Sequence, residues 1–345
     1  MQTVAVVMVE FGGPEVLQLK DVEVVRRSGD DVLLRVLAVS VNHLDVDLRE
    51  GTSRMDFPLP HVLGREVVGE VLEGPDLPQT SAVQAGDKVL VLPNAPCGRC
   101  ALCLRGRPNL CPHAYMPGIT GWGGYAHHIV VPARSLVPIG NLDPAVAAAT
   151  PISFGTAWRM LYSLGQLTPG HQVLVSGAAG GLGHAAVQVA VLGGARVTGL
   201  VGDPAKADFV AECGAGTVIY TRDEDWPSRA LEASGGGGFD LIVEHVGGEV
   251  FERCVGLLAV TGRLMVAGGH AGETPRLDVI ETFRGELQIV GTRSQRPDEI
   301  LQVLRLAAEG RIRPHIDRVL PMAEAADAHT AISARTVRGK QVLVP

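Results

Sequence analysis

Aromatic side chains make up only 4% of this 345-residue chain, and no apolar run approaches the ~20 residues that span a bilayer. Long basic runs are also missing. With 30 Lys and Arg against 37 Asp and Glu the net charge is −7, which argues against nucleic acid or an anionic membrane surface as a partner. The N-terminus, Met1-Gln2-Thr3-Val4-Ala5-Val6-Val7, lacks a basic leader and reaches Glu10 quickly, so it reads as a strand and not as a secretory signal. A cytoplasmic location is the expectation. Charged residues are few, 19% against 46% hydrophobic, which excludes disorder and implies real cores. The length exceeds what one core serves comfortably, so two domains are expected. The 43 glycines suit tight turns between strands and helices.

Cysteine is sparse but concentrated. Four of the six cysteines form Cys97-x2-Cys100-x2-Cys103-x7-Cys111. Thiolates spaced so tightly suit a tetrahedral zinc ion. Disulfides are disfavoured in a cytosolic chain. An iron–sulfur cluster is suggested by the run ending in Cys111-Pro112, but its usual spacing places the fourth Cys after three residues, not seven. Zinc held by four cysteines is coordinatively closed, so its role is structural. Cys213 and Cys254 read as packing residues.

The organisation changes twice. Residues 1–150 carry short β-rich runs (Val32 to Val39, Val67 to Leu72, Lys88 to Leu92) separated by Gly, Pro and Asn, as in a small barrel-like domain. The cysteine segment 93–112 reads as a loop that its metal folds. Over 151–292 the rhythm becomes strand, turn, helix. Strands are expected at Gln172 to Val175, Arg196 to Val201, Thr217 to Tyr220, Asp240 to Val243, Arg263 to Val266 and Glu286 to Val290, the alternation of a doubly wound parallel sheet. Residues 293–345 add helices at Glu299 to Glu309 and Ala323 to Ser333 and a strand at Gln341 to Val344, and are expected to rejoin the first domain.

After the first of those strands comes Ser176-Gly177-Ala178-Ala179-Gly180-Gly181-Leu182-Gly183 and then a helix. This is the context of a dinucleotide-binding turn, although Ala178 stands where a strict G-x-G-x-x-G has its first Gly. Ala179, Gly180, Gly181, Leu182 and Gly183 are the candidate phosphate-contacting residues, with the helix N-terminus supplying N–H groups. At the end of the second strand lie Gly202 and Asp203, candidate ribose-contacting residues, and the Asp203 acid favours a free 2′-OH and hence NAD. Lys206, with Tyr220 and Arg222 at the next strand, favours a 2′-phosphate. The balance tips to NADP.

Collinear with these features are Val41-Asn42-His43-Leu44-Asp45, Leu63-Gly64-Arg65-Glu66, Gly124-Tyr125-Ala126, Thr156-Ala157-Trp158-Arg159 and Gly339-Lys340-Gln341-Val342-Leu343. Over almost its full length the chain resembles the medium-chain dehydrogenase/reductases. The resemblance implies an α/β protein with a GroES-like catalytic domain (1–150 and 293–345) around a Rossmann domain (151–292). It also implies a cofactor in the cleft between them and a homodimer or homotetramer. In zinc alcohol dehydrogenases of this family a Cys, the His of Gly-His-Glu and a second Cys hold a catalytic zinc. The matching positions here are Asn42, Arg65 and about Pro151, none of them a zinc ligand, and Arg65 is a fixed cation.

The chain is thus similar to the quinone-oxidoreductase-like branch, which reduces activated double bonds without catalytic zinc. By analogy Asn42 would help place the nicotinamide or a small-molecule substrate, and Thr156 would touch the nicotinamide. Arg65 either stabilises an enolate oxygen or merely pairs with Glu66 or Asp45, the second being the plainer reading. Tyr125 is a weaker proton-donor candidate, and His127-His128, on one strand, face opposite ways. Two alternatives stay open: a zinc alcohol dehydrogenase with a rebuilt site among His43, His61, Asp45 and Glu66, and a non-catalytic NADP-binding relative.

Overall fold

In the computed structural model, residues 1–76 and 83–345 are described. They form two compact units, Met1–Ile152 with Gln295–Pro345, and Ser153–Ser294.

The first unit opens with β1 (Gln2–Met8), β2 (Gln18–Glu23) and β3 (Asp31–Val41), then α1 (His43–Glu50), β4 (His61–Val62), β5 (Glu66–Glu73) and β6 (Lys88–Val91). A single helical turn, α2 (Ala101–Leu104), lies inside the cysteine segment, where a plain loop was expected, and a 3-10 turn follows at Pro108–Leu110. Then come β7 (His128–Pro132), β8 (Leu136–Pro138) and α3 (Pro144–Ala148). α3 starts at Pro144 because Asp143 Oδ1 accepts from Ala145 N and Val146 N, satisfying two orphan donors of the first turn.

The chain enters the second unit along α4 (Pro151–Trp158) and continues through β9 (Gln172–Val175), α5 (Gly181–Leu192), β10 (Arg196–Val201), α6 (Ala207–Glu212) and β11 (Thr217–Tyr220). α7 (Trp226–Ala233), β12 (Phe239–Glu244), α8 (Gly248–Val255), β13 (Leu258–Val266), α9 (Val279–Arg284) and β14 (Gln288–Gly291) complete it. All its strand pairs are parallel, in the order β11-β10-β9-β12-β13-β14. By position along the chain that order is 3-2-1-4-5-6, the doubly wound dinucleotide arrangement, whose strand order reverses between β9 and β12. β9 sits at its centre because Val173, Leu174 and Val175 are apolar on both faces and fully buried. β13 begins five residues before the expected Arg263; its first part includes exposed Val260 and left-handed Thr261 (φ 67°), which show no strand periodicity.

The chain then returns to the first unit through α10 (Pro297–Ala308), β15 (Ile316–Pro321), α11 (Ala325–Ser333) and β16 (Lys340–Val344). β16 pairs antiparallel with β3, Val342 opposite Ser40, within the sheet β15-β16-β3-β5-β6-β8, with β7 also on β3. β2-β1-β4 form a smaller sheet.

α1 and α11 are joined by a buried polar network. Arg49, 1% exposed, donates through Nε to Gly12 O at 3.0 Å, and its Nη1 lies 3.4 Å from His329 Nδ1. His329 Nε2 is 3.0 Å from the Tyr125 hydroxyl. A guanidinium only donates, so Nδ1 is the bare nitrogen and Nε2–H donates to Tyr125. Burial, with Arg49 beside it, pushes the His329 pKa down to about 3, and burial carries Tyr125 well above its ordinary range. Tyr125 is therefore a structural donor and acceptor here and not a proton source near neutral pH.

Below about pH 6.5 the unfolded chain protonates His329 while the folded chain does not, so this residue lowers stability progressively as pH falls toward 3. Asp45, pushed up to about 6 by burial, works in the opposite direction: its cost is absent in acid and appears as pH rises from about 4 to 6. A His329→Gln variant should therefore gain on the wild type by about 3 kcal/mol between pH 7 and pH 4 in denaturant midpoints. A difference that does not change with pH would contradict the buried neutral imidazole.

Candidate functional site

The turn after β9 is built by close approach. Gly177 takes a left-handed φ of 54°, so the residue that bends the chain lies one position before Ala178, the apparent mismatch to the glycine pattern. Ala178 N donates to Leu200 O at 2.8 Å, holding the turn against β10. Gly180 is the N-cap of α5 in extended conformation. A Cβ on Gly183 would stand 2.2 Å from Gly177 O and 2.7 Å from Ala178 Cα, so only glycine lets α5 pack this tightly. Gly181 and Leu182 supply the first turn of α5 with Gly183, leaving N–H groups aimed beyond the carboxyl edge of the sheet. Ala179 is buried in the turn.

At the same edge, Val201 of β10 pairs with Tyr220 of β11, which sets Gly202 and Asp203 beside Thr221 and exposed Arg222. Asp203 Oδ1 accepts from Ala205 N at 3.0 Å, capping the 3-10 turn Pro204–Lys206. Thr156 is buried on α4, a helix fixed to α5 by Phe154 set edge-on to His184 at 5.3 Å. Across the strand reversal, Ser176 Oγ donates to Glu244 Oε1 at 3.2 Å, and Val246 and Gly247 N–H groups also reach that carboxylate. Glu244 is raised by burial, with those hydrogen bonds pulling the other way. A cavity of about 350 Å³ opens nearby, lined by Gly247, Val266, Gly268, Gly269 and Gly272 among others. A cradle of backbone N–H groups, with glycine wherever a Cβ would intrude, fits a dinucleotide.

In the first unit, Asn42 and Arg65 gather around Glu66, which is fully buried. Asn42 Nδ2 donates to Glu66 Oε2 at 3.0 Å and to Ser40 O at 3.3 Å, while Lys340 Nζ donates to Asn42 Oδ1 at 2.7 Å and Glu66 Oε2 at 2.8 Å. Ile152 N donates to Glu66 Oε1 at 2.6 Å. The Asn42 amide is thus committed to holding Glu66 and Lys340. Asp45 accepts from Asn42 N at 2.8 Å and Gly64 N at 3.3 Å; those bonds and the cations Arg65 and Lys340 only partly offset the burial that raises it.

Arg65, expected to pair with Glu66 or Asp45, makes no direct ion pair with either among the described residues. Glu66 has its ion pair with Lys340, 274 residues away, and Arg65 hydrogen-bonds Pro93 O at 2.7 Å. Its Nε is buried without a partner among the described residues. Burial disfavours its charge, and Asp45 and Glu66 restore it through space. Lys340 belongs to the terminal stretch Gly339-Lys340-Gln341, in which no local pattern points to this role.

Cys97, Cys100, Cys103 and Cys111 converge with all four sulfurs within 4.8 Å of one another, Cys100 Sγ lying 3.5 Å from Cys103 Sγ and 3.8 Å from Cys111 Sγ. Zn–S bonds of about 2.3 Å in a tetrahedron separate sulfurs by about 3.8 Å, so the set fits zinc. Backbone N–H groups of Arg99 and Cys100 bring the Cys97 thiol down to about 6, whereas burial and the neighbouring thiols push Cys103 up to about 12, so the fit to zinc rests on the sulfur geometry. His128, by contrast, hydrogen-bonds Thr3 Oγ1 at 2.9 Å, as an ordinary polar residue does.

A doubly wound nucleotide sheet together with a β-rich unit bearing a four-thiol lobe defines a class, the two-domain dehydrogenases. Residues 28–141 match the alcohol dehydrogenase GroES-like domain and residues 181–309 the zinc-binding dehydrogenase domain. The NAD-dependent alcohol dehydrogenase of Sulfolobus acidocaldarius is 32% identical over 98% of each chain. The quinone oxidoreductase of Rattus norvegicus is 30% identical, with 99% of this chain and 97% of its own covered. The crystal structure of an NAD-dependent alcohol dehydrogenase superposes with a TM-score of 0.93 at 37% identity, covering 99% of each chain. A cobalt- and zinc-bound thermostable alcohol dehydrogenase from Pyrobaculum aerophilum gives 0.89 at 31% identity over 100% of each. The chain belongs to the medium-chain dehydrogenase/reductase family and is an NAD(P)-dependent oxidoreductase. No helix among the described residues is long and apolar enough to cross a membrane.

Gly183→Val should lower stability by more than about 2 kcal/mol and abolish dinucleotide binding in a fluorescence titration, because α5 cannot keep its seat on the turn. Lys340→Met should cost about 3–5 kcal/mol in denaturant melts by leaving Glu66 charged and unpaired, and adding Glu66→Leu should recover part of it. If the single and double variants are equally unstable, the buried pair is not what holds this region.

Proposed function

We propose that this enzyme transfers hydride from NADPH to the β-carbon of an α,β-unsaturated carbonyl or a quinone, with zinc only in the four-cysteine lobe. The observation that carries this reading is Arg65. It stands where zinc alcohol dehydrogenases of the family have a metal-binding His, and its one hydrogen bond goes to Pro93 O among the described residues. Most of its five N–H donors are therefore uncommitted.

Asn42, Arg65 and Pro151 offer no ligand set for a second zinc. Two cations, Arg65 and Lys340, near one buried carboxylate would also repel one. Without a Lewis acid a plain alcohol resists oxidation, since nothing lowers its pKa. A conjugated acceptor is easier: as its β-carbon gains hydride, the C=C electron pair moves to the carbonyl oxygen as an enolate, and a proton from water then completes the α-carbon. A fixed guanidinium stabilises that oxygen electrostatically. Bound NADPH supplies the hydride.

Asn42 acts as a positioning residue, fixing Glu66 and Lys340. The NADP preference is supported by the Asp203 carboxylate, which turns to its own backbone and leaves Lys206 and Arg222 as the charged groups at the ribose-reading edge. The small-molecule substrate and a homodimeric or homotetrameric assembly belong to the same reading.

The test combines metal content with turnover. Elemental analysis of protein purified without chelator should give one zinc per chain, with NADPH oxidised by enones or quinones. Arg65→Ala should lower kcat about 100-fold, with nucleotide affinity little changed. Two zinc ions per chain with alcohol oxidation would return the enzyme to the zinc alcohol dehydrogenases, and an unchanged kcat in Arg65→Ala would remove the arginine from the mechanism. Arg222→Glu should weaken NADPH relative to NADH; an unchanged ratio would speak for NAD.

A further inference from the structure

We infer that His245 is a nucleotide-positioning residue, its imidazole donating a hydrogen bond to an oxygen of the dinucleotide's diphosphate at the Gly177 turn. The inference rests on the dinucleotide occupying that turn.

His245 follows β12 directly and faces the turn that follows β9, so it stands where the strand order reverses. Ligands of open α/β sheets bind at that reversal, beyond the carboxyl ends of the strands. Its backbone N–H reaches Ser176 Oγ at 3.3 Å, and its carbonyl lies against Gly268, where a Cβ would stand 2.7 Å away. The residue is thereby anchored from β9 and from the end of β13. Its ring leans over Gly177: Nε2 is 3.1 Å and Cε1 3.3 Å from the point a Cβ on Gly177 would occupy. The left-handed glycine of the turn and the imidazole therefore share one space.

Neither ring nitrogen has a hydrogen-bond partner among the described residues. Nδ1 is sealed from solvent and unpaired, whereas Nε2 is not sealed and points at the turn. His245 is half-buried, and sealing its Nδ1 from water with no partner is unfavourable, so the group calls for an explanation. Packing alone would be served better by an apolar side chain at this position. Burial, with His270 nearby, brings the pKa down to about 4, so at neutral pH the ring is uncharged and carries one N–H. Placing that proton on Nε2 gives a fixed neutral donor at the turn, complementing the backbone N–H groups of α5.

Calorimetric titration of NADPH, NADH and ADP-ribose, the last keeping the diphosphate without the nicotinamide, tests this directly. His245→Val should weaken all three about tenfold. His245→Gln, which returns an N–H near the Nε2 position, should recover most of the loss. The melting temperature of the ligand-free Val variant should stay level or rise, because an unpaired polar atom has been removed, while the ligand-induced shift shrinks. ADP-ribose binding within about twofold of wild type in His245→Val would overturn the inference and leave the turn assignment intact. Wild-type protein that binds none of the three would overturn both. Equal loss in the Gln and Val variants would overturn the donor role and leave only a shape effect.

Discussion

Glu66 is the carboxylate on which the first unit is assembled. It is fully buried at the start of β5, and it is reached by the amide of Asn42 ahead of α1, the ammonium of Lys340 at the start of β16, and the backbone of Ile152 at the start of α4. Three distant stretches of chain therefore meet on the two oxygens of a fourth. A charge taken so far from water is tolerable only when its partners are all in place, because desolvation alone costs several kcal/mol per ion. That requirement gives the terminal segment a reason to return to β3: without Lys340 the carboxylate loses its only direct ion pair among the described residues. It also explains why Arg65, the preceding residue in the chain, is left with most of its donors uncommitted.

The second unit answers to a different constraint, the closeness of backbone to backbone. Gly177, Gly180 and Gly183 let a helix N-terminus, a strand end and a neighbouring strand meet without side chains between them. What remains at the turn itself is an array of N–H groups and an uncharged imidazole, which suits a diphosphate held by dipoles and hydrogen bonds. The two units thus use different devices: a compensated set of buried charges in one, and a turn built of closely packed backbone dipoles in the other. The thiol lobe adds a third, since a segment with so little apolar core is ordered by whatever its four sulfurs hold.

How much could be read from the chain alone depended on how local each feature is. The four cysteines lie within one short segment, and their spacing already implied a tetrahedral set. The glycine turn and its flanking strand and helix are equally local, and the αL residue was hidden only because the bend falls at Gly177, ahead of the position a strict pattern assigns it. The Lys340–Glu66 pair has no local signature. Nothing in Gly339-Lys340-Gln341 distinguishes a buried ammonium from a solvated one, so Arg65, adjacent to Glu66, looked like its natural partner. His245 sits in a stretch that reads simply as the end of a strand. Its interest arises because β9 and β12, 68 residues apart by the Ser176–Glu244 contact, become neighbours.

By itself, then, the sequence determined the two-part α/β organisation, the metal-binding lobe and the dinucleotide turn, because each follows from periodicity or spacing over a few residues, where covalent geometry restricts the options. Only the tertiary structure decided which charge neutralises which, that Asn42 is held by Glu66 and Lys340, and that an unpaired imidazole overlooks the turn. Those outcomes depend on strand order and on which buried groups find partners, and neither is encoded at any single stretch of the chain.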